Sequence, residues 1–300
     1  MEPERQGHAS YTHVHEIIKG LTACGWRINL YCPRHNRASL PNILQRLQGI
    51  VSTIFFAIVS NRPNVYYMRW HFATFPVFVW AQVTRTPTII EVNGPIEDLF
   101  IAWPLARNMR GFFAWLMIYQ LRSANGIVTV TDGLNELSRS LSNSTTPVFT
   151  IPNGANTDLF CPEAAYDSNI YTQKLPEHFM VFFGSMARWQ GLSNVLECLE
   201  HPNWPINTHM VFIGDGIERK AVEKVTKRNA HAHYLGRIPY ELLPSVIARA
   251  LGSFVCSENL GGRGNTGLAP LKLFESLACG LPVITTNLPY QADVVRNADC

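Results

Sequence analysis

The 300-residue sequence has little charge and no long hydrophobic run. Only 16% of its residues are charged while 47% are hydrophobic, so the chain can bury more than one core. Its longest apolar run, residues 49–59, is shorter than the roughly 20 residues that a membrane-spanning helix needs. The first residues do not resemble a cleavable signal sequence. We therefore expect two domains in a protein that is soluble or lies on a membrane surface.

Several motifs of metal, redox and nucleic-acid chemistry are also missing. The seven cysteines are scattered and include no CxxC pair, which fits reduced thiols in a cytoplasm. There is no DxD motif, and His13 and His15 are two residues apart, so they would not share a helix face as metal ligands. No GxGxxG motif follows an early strand, which disfavours a nicotinamide-dependent oxidoreductase. No dense basic run indicates nucleic-acid binding. We expect no metal and no cofactor.

Charge is distributed unevenly along the chain. Residues 1–150 carry 13 Lys and Arg against 8 acids, whereas residues 151–300 carry 12 against 14. The basic half could face an anionic acceptor or lipid headgroups, and ordinary solubility charge explains it equally well. Contact with a membrane through Arg34, Arg37, Arg46 and the apolar helix after them is one hypothesis that follows.

Short β-branched and aromatic runs alternate with amphipathic stretches in both halves of the chain. This alternation is typical of strand-helix units with parallel sheets, and it predicts an α/β fold with two Rossmann-like domains. Residues 153–178 are rich in Asn, Asp, Pro and Gly, which indicates a connection between domains. We assign residues 1–160 to the N-terminal domain, 161–178 to a linker and 179–300 to the C-terminal domain, with a cleft between the two domains.

The pattern also predicts individual elements. Strands are expected at residues 27–31, 65–68, 88–92, 126–130, 179–183, 209–213, 233–235, 252–256 and 282–285. Helices are expected near residues 14–24, 40–59, 75–84, 112–121, 192–199, 218–228, 242–250 and 271–278. The chain opens on a polar stretch where an α/β domain normally begins with a buried strand, and it stops soon after a strand. We therefore expect that a first strand and the last helices are missing.

The most informative segment is GLAPLKLFESLACG, residues 267–280. Proline in a first turn and glycine just past a last turn predict a helix over about residues 270–279. Lys272 in the first turn opposes the helix dipole, which makes sense if an anion binds at that helix end. Glu275 could then accept hydrogen bonds from ribose hydroxyls. An exposed Lys and Glu pair worth a few tenths of a kcal/mol explains the same spacing.

This segment resembles the nucleotide-binding signature of the retaining glycosyltransferases of family four, which have the GT-B fold and often read PLKLFE followed by GxPVI. The segments FGSMARWQG, VFIGDG, YLGRI and IPNGAN resemble other parts of the family in order and spacing, so the resemblance covers nearly the whole chain. It implies transfer of a sugar, with retained configuration, from a nucleoside-diphosphate-sugar held by the C-terminal domain to an acceptor held by the N-terminal domain. The donor is a substrate, and the family does not generally need a metal.

The resemblance also implies roles for individual residues. The catalytic candidates are Asn93, Arg188 and Lys272. The candidates for donor binding are Gly7, Gly184, Ser185, Gln190, Gly191, Gly214, Arg237, Gly267, Leu268, Leu271 and Glu275. Asn93 stands where the family often has a histidine beside the donor sugar; it can hydrogen-bond but cannot act as a base, and an Asn-Gly turn is a competing explanation.

The sequence departs from the family pattern at three further positions. The family often has a second glutamate eight residues before Glu275, where this chain has Gly267, and often has Arg and Lys where it has Ser185 and Gln190. Arg263 is a further candidate cation for the diphosphate. A catalytically defective fragment, or a nucleotide-binding or interaction protein of the same fold, is therefore the alternative. The acceptor, whether glycan, lipid-linked or small molecule, stays open, as does peripheral contact of a cytoplasmic protein with the inner face of the membrane.

Overall fold

A computed structural model describes residues 9–33, 43–164 and 175–298. The chain divides by its contacts into two compact units. The first unit comprises the described residues of Ile18–Pro152 together with Gly261–Leu268. The second comprises residues 9–17, Asn153–Leu260 and the described residues from Ala269 onward. The domain boundaries derived from composition stay a prediction.

The first unit contains a four-stranded parallel sheet whose strands lie in sequence order. The strands are β1 (Tyr66–Arg69), β2 (Thr88–Val92), β3 (Gly126–Thr129) and β4 (Val148–Thr150). The helices up to β4 are α1 (Ala9–Ala23), α2 (Ile43–Val59), α3 (Phe75–Val83), α4 (Glu97–Ala102), α5 (Arg110–Ser123) and α6 (Asp132–Leu141). The beginning of α1 is counted with the second unit. Because parallel crossovers are right-handed, this strand order places α3, α5 and α6 on the same face of the sheet.

The second unit contains a five-stranded parallel sheet in the order β7-β6-β5-β8-β9. The strands are β5 (Phe179–Ser185), β6 (His209–Asp215), β7 (Ala232–Gly236), β8 (Gly252–Val255) and β9 (Val283–Thr285). The helices are α7 (Leu192–Glu200), α8 (Arg219–Arg228), α9 (Leu243–Ile247), α10 (Leu271–Ala278) and α11 (Gln291–Asn297). The strand order reverses between β5 and β8, which is where open α/β sheets form their ligand-binding crevice.

Alternate side chains of β5 pack into two different cores. Phe182 packs with residues of α7 and α8 on one face of the sheet, while Val181 and Phe183 pack with residues of α9 on the other. A central parallel strand covered by helices on both faces is apolar throughout, and this explains the run Phe-Met-Val-Phe-Phe. These cores fix the position at which β5 and β6 end.

The predicted α/β fold with two parallel sheets is confirmed, and one predicted strand is wrong. Residues 27–31 form no ladder with any described residue, and Leu30 is exposed. A strand needs a neighbour for its backbone groups, and among the described residues β1 pairs only with β2. The pattern also missed four short elements, namely α4, α6, β4 and α11. None of the described helices is both long and apolar enough to cross a bilayer.

Candidate active site

The strands β5 and β6 end side by side in two residue pairs. Gly184 lies opposite Gly214, and Ser185 lies opposite Asp215. Both glycines have positive φ, 105° and 130°, in the region that favours glycine. A Cβ atom on Gly214 would overlap the carbonyl oxygen of Gly184. Glycine at these positions therefore lets the two strand ends run close together and leaves their backbone open to a ligand.

A cavity of about 290 Å³ lies at these strand ends. Its lining includes Gly184, Ser185, Gly214, Asp215, Arg237 and Tyr240. The Nε of Arg237 lies 3.2 Å from a carboxylate oxygen of Asp215, so these two charges balance each other, while Glu241 adds a further carboxylate to the lining. The hydroxyl of Tyr234 donates to the carbonyl of Gly214 at 2.9 Å and holds β7 against the end of β6.

The loop after β5 is held against the loop after β8, at the point where the strand order reverses. Gly191 has a φ of 64°, and a Cβ atom there would overlap the carbonyl oxygen of Cys256. The backbone N–H of Glu258 donates to the carbonyl of Trp189 at 2.9 Å. Arg188 on this loop is exposed, whereas Oε1 of Gln190 is buried without a partner among the described residues. The loop thus presents one accessible cation and one buried amide oxygen.

Lys272 lies in the first turn of α10 and is buried, with 7% of its surface exposed. Its Nζ atom lies 4.4 Å from the centroid of the Phe182 ring and has no hydrogen-bond partner in the described part of the chain. Burial lowers the pKa of Lys272 to about 8, although the neighbouring Cys256 and Glu275 act in the opposite direction. Burying an ammonium group without a hydrogen-bond partner is costly, so this arrangement favours an anionic ligand.

Glu275 lies one turn further along α10 and is also buried. Burial raises its pKa to about 7, while a hydrogen bond from the Tyr240 hydroxyl and the charge of Lys272 act against the rise. Tyr240 also lines the cavity, so it connects the buried carboxyl group to the ends of β5 and β6. The explanation of Lys272 and Glu275 as an exposed surface pair is therefore wrong.

The glycine-rich loop before α10 is counted with the first unit. The Nε of Arg263 lies 2.8 Å from the carboxylate of Asp98, and the Thr131 hydroxyl donates to the carbonyl of Thr266 at 2.6 Å. Arg263, the further candidate for the diphosphate, is thus already in an ion pair. Gly267 has a φ of 85° and Leu268 is buried.

Asn93 follows β2 in the first unit. Both polar atoms of its side chain are buried and have no partner among the described residues. Leaving such groups unsatisfied costs about 1–3 kcal/mol, so their position favours contact with a ligand. The predicted residue Gly7 lies outside the described residues.

The structure places most predicted residues in the second unit. They are Gly184, Ser185, Arg188, Gln190, Gly191, Gly214, Arg237, Leu271, Lys272 and Glu275, whereas Asn93, Gly267 and Leu268 are counted with the first unit. Sequence reasoning missed Tyr240 and Asp215 as site residues. Asp215 was signalled by its place in the GDG turn, but Tyr240 follows β7 without a motif or a periodic pattern. The described residues contain no group of three or more His, Cys, Asp or Glu that could hold a metal ion.

The family model for glycosyl transferases group 1 matches residues 167–300. This stretch contains all five strands of the second sheet, the cavity, Lys272 and Glu275. Residues 167–300 are thus similar to glycosyl transferases group 1, and the match covers somewhat less than half of the chain. A search of curated proteins found no significant match for the chain.

Solved glycosyltransferases share the fold of the chain at low sequence identity. Sucrose-phosphate synthase from Thermosynechococcus elongatus is 14% identical, with a TM-score of 0.64 over 95% of this chain and 80% of that one. WaaG, a glycosyltransferase involved in lipopolysaccharide biosynthesis, is 16% identical, with a TM-score of 0.64 over 100% and 83%. HepE from Anabaena, solved with UDP and glucose, is 13% identical, with a TM-score of 0.57 over 93% and 72%. The chain therefore has the GT-B fold.

Proposed function

We propose that this glycosyltransferase transfers a sugar from a nucleoside-diphosphate-sugar donor to an acceptor, with retained anomeric configuration and without a metal ion. The observation that carries the proposal is the buried Lys272 ammonium, which has no hydrogen-bond partner among the described residues and lies in the first turn of α10. A diphosphate would supply the missing negative charge. The first-turn N–H groups of the helix add their own attraction for an anion.

Stabilisation of the leaving diphosphate would supply most of the catalysis. Charge develops on the diphosphate as the bond to the anomeric carbon breaks, and a cation already placed in a water-poor site stabilises that charge without reorganisation. Lys272 fits this role, and the exposed Arg188 on the loop after β5 can add a second positive charge. In the first unit, the buried amide of Asn93 would hydrogen-bond a substrate hydroxyl.

Glu275 and the adjoining cavity would bind the nucleoside. The carboxyl group already accepts a hydrogen bond from Tyr240, and its remaining acceptor capacity suits ribose hydroxyls. The cavity at the ends of β5 and β6 has about the volume of a small ligand site and would hold the base beside Arg237. The solved complex of HepE with UDP and glucose supports UDP as a first probe.

We further propose that the enzyme works in the cytoplasm on a glycan, lipid-linked or small-molecule acceptor. The six cysteines within the described residues are all free thiols, which a reducing compartment would preserve.

A panel of UDP-, GDP- and ADP-sugars tests the proposal by binding and by release of the nucleoside diphosphate. At least one donor should bind, and Glu275→Ala should raise its KM about tenfold or more because the ribose loses a charged hydrogen-bond acceptor. Glu197→Ala, which removes an exposed carboxylate on α7, is the matched control and should leave KM unchanged. Unchanged donor kinetics in Glu275→Ala would remove this assignment. Binding without turnover would favour the catalytically defective alternative.

A further inference from the structure

The first unit exposes an apolar face on α2. Its side chains Leu44, Leu47, Val51, Phe55 and Val59 recur at spacings of three and four residues, so they form one stripe along the helix. All five are exposed, from 48% for Leu47 to 76% for Leu44. The buried residues of α2 lie on a different stripe, so the exposed stripe is not the one that holds the helix to the unit.

The two helices beyond α2 continue this face. Val83 of α3 is 71% exposed, and Phe112, Trp115 and Tyr119 of α5 are exposed at spacings of three and four residues. The ring of Phe75 on α3 lies 6.0 Å from that of Trp115. Because α3 packs against both α2 and α5, the exposed side chains of the three helices form one surface, which we call the three-helix surface.

The charged residues within the three helices are all arginines. The helices α2, α3 and α5 contain no Asp or Glu. The sequence from residue 43 to residue 123 carries seven arginines, no lysine and three acidic residues, a formal net charge of +4. Of the three acids, Glu91 is buried, Glu97 is paired with Arg110 at 3.1 Å and Asp98 is paired with Arg263.

We propose that the three-helix surface docks the protein on the headgroup layer of an anionic lipid bilayer. Exposed apolar patches of this extent mark sites of protein or membrane interaction. A second copy docking by two-fold symmetry would bring the same acid-free surface against itself, so arginine would face arginine. Anionic headgroups supply the opposite charge, and the rings of Trp115 and Tyr119 have the mixed polarity that suits the level of the headgroups.

Binding to vesicles tests the apolar part of the proposal independently of catalysis. The wild-type protein should bind vesicles of phosphatidylcholine with phosphatidylglycerol at low salt and bind pure phosphatidylcholine weakly. The double variant Val51→Ser and Phe55→Ser should lose about tenfold or more in binding, because both apolar side chains no longer enter the interface. The matched control, Ile206→Ser with Ile217→Ser in the second unit, replaces two apolar residues that are at least as exposed and should change binding less than twofold.

Charge reversal tests the electrostatic part. Arg46→Glu on α2 with Arg107→Glu, at an exposed position in the turn just before α5, should lower binding to the anionic vesicles about tenfold or more, since each basic residue near such a surface contributes about fivefold. Lys220→Glu with Lys227→Glu on α8 makes the same change of net charge away from the three-helix surface, and should lower binding far less. High salt should weaken wild-type binding because it screens the attraction.

Three outcomes would overturn the proposal. The first is a wild-type protein that does not bind the anionic vesicles at low salt. The second is equal loss of binding in the surface variants and their controls. The third is a wild-type dimer that Val51→Ser with Phe55→Ser dissociates, without vesicle binding by the wild type, which would assign the surface to a second copy. Tryptophan quenching by brominated phosphatidylglycerol in the wild type provides a readout that needs no variant, and absence of quenching counts against the proposal.

Discussion

Replacing Lys272 by methionine should stabilise the unliganded protein while weakening the binding of a nucleoside diphosphate. Methionine keeps an unbranched apolar chain against Phe182 and removes the buried ammonium group. A pKa of about 8 in place of 10.5 corresponds to about 3 kcal/mol against the charged lysine in the folded protein. Glu275 would take up a proton more readily without its neighbour, which offsets part of this gain. We expect a net stabilisation of about 1–3 kcal/mol near neutral pH.

The difference in free energy of unfolding between Lys272→Met and the wild type should also depend on pH. The folded pKa of Lys272 lies below its unfolded value, so the unfolded protein binds more protons between pH 8 and 10.5. The destabilisation caused by burying the charged Lys272 is fully present below pH 8 and disappears as the pH rises from 8 to 10.5. The advantage of Lys272→Met in free energy of unfolding should therefore shrink to about half between about pH 7.5 and 9.5.

Urea unfolding followed by circular dichroism at these two pH values measures the difference. Lys220→Met, on the exposed face of α8, is the control and should change stability by less than about 0.5 kcal/mol at both pH values. If Lys272→Met were less stable than the wild type near neutral pH, or if the difference in stability did not change with pH, burial of the charged Lys272 would not destabilise the unliganded protein.

Three further predictions follow from the site. Gly191→Ala should lower the stability by about 2 kcal/mol or more in thermal unfolding, because its Cβ would overlap the carbonyl of Cys256, whereas Gly154→Ala, which meets open space, should be nearly neutral. Asn93→Ala should slow sugar transfer about tenfold in steady-state kinetics with little change in donor affinity, and a change in affinity alone would contradict its role. Burial raises the pKa of Glu275 to about 7, so the wild type should lose stability relative to Glu275→Gln as the pH rises from 4.5 to 7; parallel stability curves would contradict this.

The central strands of the second sheet, β5, β6 and β8, could be predicted because they are buried on both faces. The run at β5 and the segment at β6 are each bounded by glycine or polar residues, so composition alone located them. Short elements were harder. β4 has only three residues and is stabilised by pairing with β3, a contact that no local pattern encodes. The opposite error occurred at residues 27–31, where the composition predicts a strand but these residues form no ladder with any described residue.

For the candidate site too, the sequence predicted local features but not tertiary contacts. The Pro and Gly that bound α10, and the spacing of Lys272 and Glu275, were visible in the sequence. Their burial was not, because it depends on contacts with Phe182 of β5, with Cys256 after β8 and with Tyr240, which no local pattern encodes. The membrane hypothesis anticipated an exposed face only for α2, whereas the exposure of α3 and α5 was hidden because their apolar composition usually marks buried helices.

Titration of UDP and UMP into the wild type and Lys272→Met near neutral pH measures whether the buried Lys272 ammonium binds a diphosphate, with GDP and ADP and their monophosphates as the parallel pairs. We expect that at least one nucleoside diphosphate binds the wild type more tightly than its monophosphate, and that Lys272→Met loses this preference with a drop in affinity of about tenfold or more. If no nucleoside diphosphate bound the wild type, or if Lys272→Met kept the full preference for the diphosphate, Lys272 would not be the diphosphate-binding residue.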